Sequence, residues 1–420
     1  MRSWAFERSL AGVAWRRSVT VKRMIGLVTA VAGLALGFAS SAQAVRFSKA
    51  VYAIPPHSPQ TSVIPESVVT ADFNHDGKLD IAVLDALPQS QVVDVYMNKG
   101  GGHFSGHPKQ VPTGCPPGSI ARDLLAGEFN GDKNPDLFLI CNVDGVVIPG
   151  NGKGGFGSSH TYTNVHASNP VTVGSFDGRP DLEYIGAGGY AFCYLPISQL
   201  VPGGRPPICS QAATSKFFTW TIAAGTFGSG AKAQPIAAVF ANPGAQTIHF
   251  FGPPQSGSPC CPESDRAVGV PNEAQTISFG DLNRDHNSDV LMGNYGTALG
   301  HGSISVYLWD PKNGTLPSAN PTTYKSSVSV YSMVLGDFNH DGRLDVAAAG
   351  YNSANAGKLA IQLGNGKGAL RAPTTLPLPG FTHPDFIGGR TLAVGDFNGD
   401  GKPDLVAITS RTITVLLTKR

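Results

Sequence analysis

The residues best suited to chemistry recur in one nine-position pattern, D-x-N-x-D-G-x-x-D. Side-chain oxygens stand at positions 1, 3, 5 and 9, and a backbone carbonyl is expected to join them from position 7. Alternate positions of a tight loop turn to one side, and calcium takes roughly six to eight such hard oxygen donors. Complete sets occur at Asp72, Asn74, Asp76, Lys78 and Asp80; at Asp337, Asn339, Asp341, Arg343 and Asp345; and at Asp396, Asn398, Asp400, Lys402 and Asp404. In these three, glycine at position 6 permits a left-handed turn. Two more sets keep every oxygen and lose that glycine. They are Glu128, Asn130, Asp132, Asn134 and Asp136, with Lys133 at position 6, and Asp281, Asn283, Asp285, Asn287 and Asp289, with His286 there.

Asp and Asn also favour turns that need no metal. The distribution of charge speaks against that simpler account. Beyond residue 44 the chain has 28 acidic residues, and 15 of them sit in these five loops. Three carboxylates in one tight turn repel one another unless a cation lies among them. The expectation is therefore calcium, in about five ions, one per loop. Two worn copies should not bind. The copy at Ser175 is short and keeps only Asp177 and Asp181, and the copy at Thr226 offers Thr226, Gly228, Gly230 and Gln234. His75 and His340 fill position 4, where Gly131 and Gly399 also occur, and read as exposed fillers.

Each loop lies between two short apolar runs, as in SVVTADFNHDGKLDIAVLD from Ser67 and YSMVLGDFNHDGRLDVAAA from Tyr331. Counting the worn copies, the unit occurs seven times, with first positions 47 to 59 residues apart. A third alternating strand follows, for example Val92–Met97, Ile304–Trp309 or Leu359–Leu363. A Gly/Asn turn such as GNGKGGF at Gly150 and a more polar fourth strand complete the unit. Four strands in about 54 residues is the size of one propeller blade. The expected fold is all-β: a seven-bladed β-propeller with four-stranded blades. The last unit stops after its third strand, Thr412–Thr418. Residues 46–54 are expected to supply the fourth and so close the ring, which removes an open sheet edge.

Composition agrees with many short strands and turns. The chain has 420 residues, with 52 Gly, 32 Pro and only 14% charged side chains, which excludes a helical bundle, while 41% hydrophobic content excludes disorder. The first 44 residues hold six basic side chains and one acid, leaving a net charge of −3 on the rest. No basic stripe remains for nucleic acid. Residues 1–44 read as a signal peptide: a cationic stretch, the apolar run Met24 to Phe38, then Ala42-Gln43-Ala44. That run is too short to span a bilayer. Residues 45–420 are thus expected to be one propeller, secreted or periplasmic, with no membrane span after cleavage.

Six cysteines lie beyond the signal, and an oxidising compartment favours disulfides. Nearness in sequence favours Cys115–Cys141 and Cys193–Cys209, leaving Cys260–Cys261 as a vicinal bond or free thiols. No C-x-x-C spacing supports zinc.

The repeated unit resembles the FG-GAP/VCBS repeat proteins and the calcium-binding propeller of integrin α subunits, over about residues 45–420. Bacterial exported proteins and some fungal lectins carry similar units. The resemblance implies an ion in the loop between the first and second strands of a blade. It also implies a binding or adhesion module, expected to be monomeric, whose ligand is an extracellular protein or a glycan. No G-x-S-x-G or H-E-x-x-H motif points to catalysis. The alternative is a carbohydrate-active enzyme such as a polysaccharide lyase, or a lectin. Two departures from the pattern are candidate contact surfaces: residues 188–220, with Tyr190, Phe192, Tyr194, Arg205, Phe217, Phe218 and Trp220, and residues 250–266. Mature tryptophan is limited to Trp220 and Trp309, which disfavours sugar stacking at every blade.

Overall fold

The computed structural model describes residues 45–55, 65–86, 91–142, 144–163, 167–174, 181–186, 192–197, 208–209, 219–227, 234–241, 247–251, 263–267, 274–309, 321–381 and 390–419. The signal segment, most of both worn loops, Cys260, Cys261 and most of the two candidate contact stretches lie outside them. No α-helix occurs among the described residues.

Strands assemble into seven four-stranded antiparallel sheets. Sheets I to VI each use consecutive strands, over residues 65–112, 121–162, 167–209, 219–267, 274–325 and 329–377. Sheet VII takes Leu392–Gly395, Asp404–Ile408 and Thr412–Lys419 from the end of the chain, and its fourth strand is Arg46–Ala53. That strand pairs along its whole length with Thr412–Lys419, from Arg46 opposite Lys419 to Ala53 opposite Thr412. Residues 46–53 and 412–419 are thereby held in one hydrogen-bonded sheet.

Strand position sets burial. Second strands such as Asp80–Asp85, Asp136–Cys141 and Asp289–Asn294 are buried at every residue. Their continuous apolar runs suit a strand covered on both faces. Fourth strands such as Lys109–Pro112 and Thr322–Lys325 are mostly exposed, and their Lys, Pro and Thr residues suit a guarded edge. The first strand of each sheet packs beside the first strand of the next, and that of sheet VII packs beside that of sheet I. Val68 N–H of sheet I donates to the carbonyl of Arg390, two residues before the first strand of sheet VII, at 2.8 Å.

Apolar clusters lie between neighbouring sheets. Leu84, Val95, Leu124 and Leu139 join sheets I and II, and Val83, Tyr96, Phe397 and Val415 join I and VII. Glycine makes room for this packing. A Cβ on Gly395 would meet Leu79 Cδ1 of sheet I at 2.6 Å, and one on Gly280 would meet Leu335 Cδ1 of sheet VI at 2.6 Å.

Cys115 and Cys141 form a disulfide, linking the approach to sheet II with its second strand. Cys193 is also disulfide-bonded, and the register sets Cys209 opposite it.

Candidate metal-binding loops

Each intact loop joins the first and second strands of its sheet, in sheets I, II, V, VI and VII. Position 9 anchors it. Asp80, Asp136, Asp289, Asp345 and Asp404 are wholly buried. One oxygen of each accepts the backbone N–H of position 2: Phe73 at 3.0 Å, Phe129 at 2.9 Å, Leu282 at 2.9 Å, Phe338 at 3.0 Å and Phe397 at 3.0 Å. The other accepts an N–H just past, or late in, the third strand: Asn98 at 2.7 Å, Gly150 at 2.8 Å, Trp309 at 2.9 Å, Gly364 at 2.8 Å and Thr418 at 2.7 Å. This diversion explains strand lengths. Third strands expected to run to Met97, Trp309 and Leu363 end at Tyr96, Tyr307 and Gln362. Position 2 is a buried Phe or Leu in every intact loop, a signal that was present in the sequence and overlooked in the oxygen pattern.

Positions 1, 3 and 5 cluster above this anchor. In four loops the position-5 amide points between two side-chain oxygens. Asp76 N–H lies 3.0 Å from both Asp72 Oδ1 and Asn74 Oδ1. The matching distances are 3.1 and 3.0 Å at Asp285, 2.9 and 3.1 Å at Asp341, and 3.1 and 2.8 Å at Asp400. The second oxygen of position 1 takes the position-6 amide at 2.8, 2.9, 2.7 and 2.8 Å. Glu128 departs from this: its longer side chain caps the amides of Asn130, at 3.0 Å, and Gly131 instead. Position 7 donates its N–H to the position-5 carboxylate in all five, from Lys78, Asn134, Asn287, Arg343 and Lys402. The basic side chains at position 7 return to that same carboxylate: Lys78 to Asp76 at 2.9 Å, Arg343 to Asp341 at 3.4 Å and Lys402 to Asp400 at 3.0 Å.

Backbone conformation accounts for the glycines and their substitutes. Position 6 is left-handed throughout, with φ of 81° at Gly77, 79° at Gly342 and 78° at Gly401, but also 72° at Lys133 and 68° at His286. Position 4 is left-handed as well, at His75, Gly131, Arg284, His340 and Gly399. The alternation of His and Gly there was the available clue. His75 and His340 are exposed, as expected, yet His75 Nε2 also meets Asn134 Oδ1 of the neighbouring loop at 3.0 Å.

Electrostatics concentrate on position 9. Burial, joined by the carboxylates at positions 1 and 5, pushes Asp80, Asp136 and Asp404 up to about 6 and Asp289 and Asp345 up to about 7, against the N–H bonds that pull them down. Asp76 is held below the ordinary carboxylate range, chiefly by Lys78. The structure therefore brings positions 1, 3, 5 and 9 of each set to one loop. Among the described residues their carboxylates are turned onto loop amides, and no group of three Asp, Glu, His or Cys side chains is drawn together as a cation cage. The donor set itself is all hard oxygen, as a calcium-type ion requires.

Comparison with known proteins meets these loops directly. The FG-GAP-like repeat matches residues 72–139 and 281–348, and the FG-GAP repeat matches residues 388–412. This chain carries FG-GAP repeats. Each FG-GAP-like match begins on the first aspartate of one loop, Asp72 or Asp281, and runs through the next loop into the second strand of the following sheet, while the FG-GAP match spans the loop at Asp396. No curated protein matches the chain. Among solved structures, a chain in the crystal structure of BBS1N in complex with ARL6DN, soaked with lead, is similar over 86% of this chain and 95% of that one, with a TM-score of 0.52 and 11% identity. At that identity the likeness is one of fold. Sheets III and IV, over residues 167–209 and 219–267, lie outside the matched segments. Residues 175–180 and 228–233 of the worn units fall outside the described residues.

Proposed function

We propose that the chain is an exported, calcium-stabilised, seven-bladed β-propeller that serves as a non-catalytic binding module. The observation that carries this reading is the repeated loop, with a buried position-9 aspartate beneath the clustered oxygens of positions 1, 3 and 5. The succession of first strands from sheet I to sheet VII and back to sheet I supports a closed ring of blades. The Cys115–Cys141 disulfide supports an oxidising compartment outside the cytoplasm.

Calcium would be held by Asp72, Asn74, Asp76, Asp80 and the Lys78 carbonyl, and by the equivalent groups of the other four sets. When bound it supplies positive charge among carboxylates that otherwise repel one another. Extracellular calcium modules bind with Kd of about 10⁻⁴ to 10⁻³ M. At tenfold excess over Kd, each site would add about 1.4 kcal/mol. Thermal unfolding of the mature chain in millimolar calcium and after exhaustive chelation tests the reading, with elemental analysis of bound metal. A clear fall in Tm on chelation and about five calcium ions per chain are expected. An unchanged Tm with no bound alkaline-earth ion would overturn it. Cleavage of a polysaccharide by the purified chain would overturn the non-catalytic part.

A further inference from the structure

The two ends of the first strands differ in what recurs. At the strand starts a bulge takes one residue out of the ladder with the second strand, and the residues skipped are of unlike type: Glu66, Arg122, Trp220, Gln275 and Tyr331. At the aspartate loops a contact between neighbouring sheets recurs. It is made by the Gly/Asn turn after the third strand, over residues 98–104 in sheet I, 150–156 in sheet II and 364–370 in sheet VI. The first N–H of each turn donates to the position-9 aspartate of its own sheet, from Asn98 to Asp80, Gly150 to Asp136 and Gly364 to Asp345. The same turn also reaches the aspartate loop of the sheet before it. Gly154 N–H of sheet II donates to the carbonyl of Phe73, position 2 in sheet I, at 2.9 Å. Gly368 N–H of sheet VI donates to the carbonyl of Leu282, position 2 in sheet V, at 3.2 Å. In sheet I the side chain makes the link: Asn98 Nδ2 donates to the carbonyl of Phe397, position 2 in sheet VII, at 2.8 Å.

The fit is close. The fifth residue of each turn is a left-handed glycine, with φ of 75° at Gly102, 71° at Gly154 and 81° at Gly368. A Cβ there would stand 2.6 Å from Leu417 Cδ1, 2.8 Å from Met97 Cε and 2.6 Å from Leu308 Cδ1, all on or just past the third strand of the preceding sheet. Phe156 stands edge-on to Phe73 at 5.4 Å, and Phe104 to Phe397 at 5.8 Å. Position 2 is the hub. Its N–H donates to the position-9 aspartate of its own loop, and its carbonyl accepts from the next sheet's turn, which donates to the next position-9 aspartate. One such path runs from Asp404 through Phe397 and Asn98 to Asp80, then through Phe73 and the turn of sheet II to Asp136. A second runs from Asp289 through Leu282 and the turn of sheet VI to Asp345. The device does not pass from sheet VI to sheet VII. The fourth strand of sheet VII comes from the start of the chain, so no turn joins it to the third.

We propose that the loops bind their ions cooperatively in two separate groups, sheets VII, I and II forming one and sheets V and VI the other. This inference rests on the calcium reading of the loops and adds how the sites are regulated by one another. An ion that draws positions 1, 3, 5 and 9 together holds position 2 between them, and its carbonyl becomes a fixed acceptor for the neighbouring turn. A turn held there presents its first N–H to the next position-9 aspartate. The second loop then has less freedom to lose when its own ion arrives, which is positive coupling. Such coupling is reciprocal, so it does not depend on which loop fills first, and it commonly amounts to about 5- to 150-fold in affinity. The groups are unequal. The loop of sheet I is linked on both sides, to sheets VII and II, whereas the loop of sheet V is linked to sheet VI alone, because the worn copies before it lack a donor set.

The test is calorimetric titration of the chelator-stripped mature chain with calcium chloride, for wild type, Asp76→Asn and Asp285→Asn. Each variant removes one charge from one loop and keeps an oxygen that can accept the position-7 N–H. Wild type is expected to bind more steeply than independent sites allow. Asp76→Asn should weaken its own site and lower affinity about fivefold or more at two others, and Asp285→Asn should do so at one other only. Unfolding in chelator like that of wild type shows that each variant keeps the fold. Wild-type affinity at every remaining site in both variants would overturn the coupling and leave the calcium reading standing. Weakening at the same number of sites in both variants, or at all remaining sites in either, would overturn the division into two groups. A folded wild-type chain that binds no calcium would overturn the calcium reading itself, and the coupling with it.

Discussion

The two ends of the first strands use repetition in opposite ways. At the aspartate loops both backbone and side chains repeat: Asp80, Asp136, Asp289, Asp345 and Asp404 accept the same pair of backbone N–H groups. At the bulges the backbone repeats while the side chains run through Glu66, Arg122, Trp220, Gln275 and Tyr331. Where a side chain must satisfy fixed backbone groups, little variation is possible. Where it leaves the ladder, no fixed pair of backbone groups sets its type, and packing differs from sheet to sheet: Glu66 and Gln275 are buried, and Tyr331 packs against an apolar cluster.

The largest expected effect lies at the repeated end. Asp80→Ala leaves the buried Phe73 and Asn98 amides without their acceptor, at a cost of about 1–3 kcal/mol each. Denaturant unfolding in the absence of calcium should therefore show a loss of about 3–5 kcal/mol. Loss below about 1 kcal/mol would mean that the anchor is replaceable and that the contrast between the ends is weaker than drawn.

Asp94, buried in the third strand of the same sheet, should behave in the opposite sense. Burial, aided by the charge of Asp85, pushes its carboxyl up to about 7. An unfolded aspartate titrates near about 4. Between those values the folded chain keeps a proton that the unfolded chain has released, so this group's contribution to stability falls as pH rises from about 4 through about 7. Asp94→Asn removes that dependence. It should stabilise by about 2–4 kcal/mol at pH 8 and leave stability at pH 4 nearly unchanged, as read from paired denaturation curves. A variant less stable than wild type at pH 8 would show that the Asp94 anion is needed in the fold.

These contrasts also mark what could be read from the sequence. The nine-position pattern placed every intact loop between a first and a second strand, and residues 46–54 were expected to complete the last sheet, where Arg46–Ala53 does pair with Thr412–Lys419. Periodic apolar runs carry that information because burial forces it. The partner of position 9 was not legible: Asn98, Gly150, Trp309, Gly364 and Thr418 contribute only a backbone N–H, which any residue except proline provides. The bulges were hidden for a related reason. One skipped residue breaks the two-residue alternation without leaving a side-chain signature, and Glu66, Arg122 and Tyr331 look like ordinary variation until the register is known.

The smallest expected effect concerns the two loops that lack glycine at position 6. Lys133 and His286 hold the left-handed conformation that Gly77, Gly342 and Gly401 adopt elsewhere. A Cβ in that region costs roughly 1–2 kcal/mol. Glycine relieves it but loses more freedom on folding, by roughly 0.5–1 kcal/mol. Lys133→Gly and His286→Gly should each stabilise the chain by about 0.5 kcal/mol, a net of those two terms. Both side chains are exposed, and the loop hydrogen bond at His286 comes from its backbone N–H, so the substitution spares that contact. Chemical denaturation of both variants with chelator and with calcium gives the measurement. Equal gains in both conditions would place the effect in the backbone of the loop. A gain that appears only with calcium would instead show that these two loops adopt the turn of their glycine-bearing counterparts only around the ion, and that the uniformity of this end depends on the metal as well as on the aspartates.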